Sequence, residues 1–267
     1  MDTQLALLCG LTFVIHLIAT LAYSVRIAGS RTGKIAISLA LFNILVLVSR
    51  TSNSFQAPLL AKRIEHNLLR GITTQAASDF RWLLVATSVA TLLGALLIPT
   101  FQRLFGYAVA AFSRHRSLPT LLRRGLTPTG LRCVRKSVCL PSRANIANLR
   151  HAGGVSAGVV ALNLVATAVS TVGVFAALYA GYLNPSLRVT ASSLSAVVNG
   201  LATIFMAVFI DPSLSILTDD VTEGRVTEGV LRRSVVWMVG SRLAGTVMAQ
   251  ALLLPAAALI ARFAGGI

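Results

Sequence analysis

Between Leu45 and Ala61 the chain reads LVLVSRTSNSFQAPLLA. An apolar run there receives a fixed positive charge, Arg50, with Thr51, Ser52, Asn53 and Gln56 close behind it, and Pro58 is expected to close the run. A guanidinium stays protonated, and its planar fork suits phosphate or carboxylate oxygens. Arg242 lies in a second apolar run, nine residues past Arg233, which at ~1.5 Å per residue sets it roughly 10 Å inside the membrane boundary. His16 sits in the middle of a third run, and no carboxylate is expected deep in any of them. Cations in an apolar setting with few counter-charges point to a water-filled cavity that accepts an anion. Each also has a plainer account. Arg50 and Arg103 can snorkel to the headgroup level. His16, Asn43, Asn163 and Asn199 can bond neighbouring helices.

Other chemistry lacks its residues. There is no H-E-x-x-H, no Walker loop, no G-x-S-x-G serine with a partner acid and no pair of intramembrane aspartates. The four histidines, at 16, 66, 115 and 151, are scattered, and Cys9, Cys133 and Cys139 lack the paired spacing of a zinc site. The expectation is a non-enzyme without a metal or other cofactor.

The elements that position these groups follow from composition. Of 267 residues 55% are hydrophobic and 12% charged, with mean hydropathy +0.77, whereas a soluble domain carries about 25% charged residues. A span needs ~20 mostly apolar residues, and only helices satisfy their backbone within one segment. Six spans are expected, at about 5–24, 35–56, 82–101, 155–180, 190–210 and 235–261. The fold class is therefore an all-α polytopic membrane protein. The start, MDTQ, lacks the positive region of a signal peptide, so the first run is expected to remain as a helix. Pro212, in FIDPSLSILTDD, is expected to bar the fifth helix from continuing.

The net charge is +16, and its distribution sets direction. Arg26, Arg31, Lys34, Arg103, Arg225, Arg232, Arg233 and an acid-free basic loop at 113–150 fall on one side; Arg50, Lys62, Arg63, Arg70, Arg81, Arg188 and Arg262 fall on the other. The positive-inside rule then puts the basic loop in the cytoplasm and both termini outside. That loop is expected to lie on anionic membrane lipids or to meet a soluble partner or a substrate headgroup. Nucleic acid is not required as a partner. The domains expected are a first three-helix unit at 1–112, the loop at 113–150 and a second three-helix unit at 151–267.

A shift of 156 residues lays Tyr23 on Tyr179, Asn43 on Asn199, and ALLIP (Ala95 to Pro99) on ALLLP (Ala251 to Pro255). It also superposes the first three spans on the last three. Three spans per unit is odd, so the second unit would be inserted upside down, giving two inverted three-helix repeats. Chance matching between apolar stretches is the alternative.

The stretch HLIATLAYSVRIAGSRTGKIAISLALFNILVLVSRTSNSFQAP resembles the opening of the alternate lipid II flippase family (Amj type). LNLVATAVSTVGVFAALYAGYLNPSLR, SLSAVVNGLATIFMAVFIDPSLS and LTDDV fit the same family, and the likeness is weakest in loop 113–150. The resemblance implies a bacterial inner-membrane protein that moves a polyprenyl-pyrophosphate-linked peptidoglycan precursor from the inner to the outer leaflet. The partner is then a lipid-linked anionic substrate. Arg50 and Arg242, with His16, would meet its pyrophosphate, while Asn43, Ser49, Asn53 and Gln56 would bond its sugars or peptide. A transporter of another polyprenyl-linked glycan or organic anion, and a non-transporting scaffold, remain as alternatives. Oligomeric state is left open.

Overall fold

The computed structural model describes residues 2–71, 76–139, 141 and 154–266. Among these the secondary structure is helical throughout, and six helices are long and apolar enough to cross a membrane. The first unit holds α1 (Thr3–Thr32), α2 (Ile35–Leu69) and α3 (Ala76–His115). Two short helices follow, α4 (Leu118–Gly125) and α5 (Pro128–Ser137). The second unit holds α6 (Ala157–Leu183) and then a fifth span made of a short 3-10 turn, α7 (Arg188–Phe205), a π turn (Met206–Ile210) and α8 (Asp211–Thr222). The sixth span is α9 (Glu228–Ala264).

Local sequence explains the helix ends. The Asp2 carboxylate accepts from the Leu5 N–H at 2.8 Å and opens α1. Gly33 closes it at φ 64°, a left-handed conformation that a Cβ disfavours. Thr127 and Ser156 cap α5 and α6 in the same way as Asp2.

Both proline expectations are overturned. Pro58 lies inside α2, which runs on to Leu69. The residues beyond it include Leu60, Arg63 and Ile64, all buried, so tertiary packing outweighs the one lost backbone bond. Pro212 sits in the first turn of α8, where its missing N–H is not needed, and the preceding π turn joins α7 to α8 without a break. Asp79, in the first turn of α3 and before the expected third span, is buried beside Arg63 at the helix end.

The two units pack in the same pattern. In each, the first span runs along both of the others, while the second and third barely meet. The matched Pro99 and Pro255 both lie inside the third helix of their unit. Between the units, α3 packs on α9, whereas α1 and α6 scarcely touch. Two bars of polar contacts join the first three spans to the last three. At the end holding the α1 N-terminus, α2 reaches α6 and the fifth span: Asn67 Nδ2 donates to the Tyr182 hydroxyl at 3.2 Å, and Arg188 faces Glu65 at 3.8 Å. At the other end α8 and α9 reach α1, through Arg26–Asp211 at 3.1 Å and Arg31–Glu228 at 2.5 Å. The loop beyond α3 is tied down where Thr100 and the Cys139 backbone exchange two hydrogen bonds of 3.0 and 3.1 Å. Its later basic residues, Arg143 and Arg150, lie outside the described residues.

One glycine makes the α1–α3 contact possible. A Cβ added at Gly94 would stand 2.8 Å from the Thr20 Cβ, while one at Gly10 would meet nothing within 4 Å. Gly94→Ala is therefore expected to destabilise by about 1–3 kcal/mol, as overpacking does. Gly10→Ala is expected to be neutral or slightly stabilising. Thermal unfolding of the two purified variants side by side checks both signs.

Candidate functional site

His16 and Tyr23 are two helical turns apart on α1, so both side chains leave the same face. Opposite them, Asn163 of α6 donates to the Met238 carbonyl at 2.9 Å and to the Ser241 hydroxyl at 2.8 Å. Those bonds clamp α6 to α9 immediately before Arg242. The Arg242 side chain then turns to α1. Its guanidinium lies near enough to the Tyr23 hydroxyl and to His16 to act on their charges. Tyr23 also meets Asn163. The four residues thus come from three helices, where Tyr23 packs in one cluster with Ala166 of α6 and Met238 of α9.

This cluster has spare bonding capacity. Arg242 Nε and His16 Nδ1 are buried and lack hydrogen-bond partners among the described residues. The hydroxyls of Thr167 and Thr171, one and two turns beyond Asn163 on α6, are in the same condition. Asp211 lies within electrostatic reach of Tyr23, but it is exposed and paired with Arg26. A half-buried cation with no carboxylate paired to it among the described residues, set among hydroxyl and imidazole groups, is suited to an incoming anion.

A polar seam extends from the cluster. Thr12, one turn before His16, accepts from Gln56 Nε2 at 2.5 Å. Gln250, two turns beyond Arg242, donates to the Ser88 hydroxyl at 3.1 Å and joins α9 to α3.

The expected site residues divide into three groups. Arg242 and His16 come together. Gln56 is buried on the α2 stripe that packs inward with Ser38, Leu41 and Ser52, and Ser49 is half-buried on that stripe. Asn43, Arg50 and Asn53 are exposed on the outward side of α2 and do not join the cluster. Arg50 lies about 22 Å along a helix that continues well past it, taking 1.5 Å per residue. It is therefore not at a helix end.

Tyr23 and Asn163 are the site residues that the sequence analysis did not single out for binding. Each residue type is ordinary in a membrane helix. The available signal was the seven-residue step from His16 to Tyr23, which places the phenol on the histidine's face.

The family described as Amj, alternate to MurJ, matches residues 11–264. The lipid II flippase Amj of Bacillus subtilis (strain 168) is 36% identical over 260 residues, covering 97% of this chain and 96% of that one. No solved structure matches.

Proposed function

The chain belongs to the Amj (alternate to MurJ) family, and from that premise we propose that it moves lipid II from the inner to the outer leaflet of the bacterial cytoplasmic membrane. The observation that carries the site is Arg242: a half-buried arginine beside Tyr23, with a buried Nε that lacks a partner and no carboxylate paired with it among the described residues. Lipid II brings a pyrophosphate, a large polar headgroup and a long polyprenyl tail. Arg242, with Tyr23 and His16, receives the pyrophosphate between α1 and α9. The tail remains in the surrounding lipid. Gln56 and Ser49, on the inward stripe of α2, line the approach.

The two cross-unit bars act as alternate closures of this site. Asn67–Tyr182 and Glu65–Arg188 close one end, and Arg26–Asp211 and Arg31–Glu228 close the other. The similar packing within each unit supports an inverted repeat, in which the two bars exchange roles. The distribution of basic charge supports a cytoplasmic position for the second closure and loop 113–150, with both termini outside and the loop on anionic lipid. No nucleotide-binding motif is present in the sequence, so a membrane potential, an ion gradient or substrate flow supplies the driving force.

The test is complementation of a strain depleted of its other lipid II flippases, with surface exposure of the precursor as readout. Restored exposure is expected. Normal membrane levels of the chain with the precursor still confined to the inner leaflet would overturn the proposal. A parallel assay with other polyprenyl-linked glycans sets the breadth of the pyrophosphate site.

A further inference from the structure

A second cationic site lies away from Arg242. Lys34, in the turn between α1 and α2, and Arg116, immediately after α3, line one cleft of about 460 Å³. Ser113 adds a hydroxyl to it, and Ile37 and Phe112 add apolar wall. Both basic side chains are exposed, and neither forms an ion pair among the described residues. The chain has little acid to offer them. Asp2 and Asp79 are held by Arg63, Glu65 faces Arg188, and Asp211 is held by Arg26. Asp220 and Glu223 are held by Arg225, and Glu228 by Arg31 and Arg232; the eighth acid, Asp219, is exposed on α8 and does not line the cleft. Two like charges therefore share a concave surface with no internal counter-charge.

The cleft sits where two membrane helices meet the surface, on the side of the basic loop. Its lining is mixed: two cations and a hydroxyl, with an aromatic and a branched aliphatic side chain. A free anion would use only the polar groups. A lipid uses both, with its phosphate between the cations and the start of its chains along Ile37 and Phe112. Basic pockets between membrane helices on the cytoplasmic side hold lipid headgroups in this way.

We infer that the Lys34–Arg116 cleft binds the phosphate of a membrane lipid, as a site separate from the Arg242 cluster. The inference does not depend on what the protein transports. Two lipids carry the required chemistry, an anionic glycerophospholipid and the polyprenyl pyrophosphate of the substrate.

The experiment uses the full chain in detergent, titrated with phosphatidylglycerol, phosphatidylcholine or undecaprenyl pyrophosphate, with bound lipid counted by native mass spectrometry. The double variant Lys34→Gln/Arg116→Gln is compared with Lys62→Gln/Arg70→Gln, which removes equal charge from exposed positions on the other side. The first pair should weaken phosphatidylglycerol binding at least tenfold with thermal unfolding unchanged, and the second should leave binding as it is. Displacement of phosphatidylglycerol by undecaprenyl pyrophosphate would support the cleft as a landing point for substrate. Absence of displacement would support it as a site for bulk anionic lipid. Equal losses in both double variants, unchanged binding in the first, or no preference for phosphatidylglycerol over phosphatidylcholine would each overturn the cleft. None of those results touches the flippase reading, which is judged separately by precursor exposure.

Discussion

Replacement of Arg242 by leucine is expected to abolish transport while leaving the protein as stable as before, or more so. The two signs have one cause. The Arg242 side chain is half-buried, with a buried Nε that lacks a partner and no carboxylate in an ion pair with it among the described residues, so its desolvation is poorly offset and its removal relieves a cost. When a pyrophosphate arrives, the same group supplies charge-assisted hydrogen bonds worth about 1.5–3 kcal/mol each. Losing two of them corresponds to a fall on the order of 10²–10⁴ in transport at fixed substrate, at 1.4 kcal/mol per tenfold. Arg242→Lys keeps the charge but not the planar fork, and is expected to fall between leucine and the native residue. Precursor exposure in depleted cells, read beside thermal unfolding of the purified variants, checks the pair of signs. A merely structural arginine would lower the unfolding temperature on removal and would reduce transport only through the amount of folded protein. Arg50→Gln provides the contrast. Arg50 is exposed on the outward side of α2, and its loss is expected to cost far less transport than the loss of Arg242.

The six spans were legible because a bilayer imposes a length of apolar chain, and composition registers that directly. Helix ends were less legible. Pro58 and Pro212 read locally as stops, but a helix stops only where packing no longer supports it. Beyond Pro58 the buried Leu60, Arg63 and Ile64 hold α2 together, and before Pro212 a π turn absorbs the missing donor. The site divides along a similar line. Arg242 and His16 stood out because an ionisable group in an apolar run is costly wherever it points. Tyr23 and Asn163 carry no such cost, so their importance depends on which neighbours they meet across helices. The faces of α2 were hidden for another reason. Polar residues occur all round it, and only the packed stripe of Ser38, Leu41, Ser52, Gln56 and Arg63 shows which side faces α1.

The second large effect concerns the end of the molecule holding the α1 N-terminus. Arg63 donates from Nε to Asp79 at 2.7 Å and from Nη1 to Asp2 at 2.7 and 2.9 Å, so one guanidinium ties α2 to the starts of α1 and α3. The two carboxylates are not equivalent. The Asp79 side chain is 12% exposed and that of Asp2 is 60% exposed. Solvent screening leaves the Asp2 pair with little weight, whereas Asp79 has no other cation in an ion pair with it among the described residues. Arg63→Ala is therefore expected to cost about 3–5 kcal/mol, because it strands a buried carboxylate. Asp79→Asn should cost less, since an amide oxygen still accepts from the guanidinium. Arg63→Met combined with Asp79→Leu should recover most of the loss, because neither charge is then stranded. Asp2 contributes a pH dependence of its own. The Leu5 N–H, then Arg63, hold its carboxyl below the usual carboxylate range in the folded state. Its contribution is thus complete at neutral pH and is lost as pH falls through that depressed value, with stability dropping on the acid side. Thermal unfolding of the single and double variants at neutral and acid pH separates these effects. Equal losses for Asp2→Ala and Arg63→Ala would show that the surface pair, not the buried one, holds this end of the three helices together.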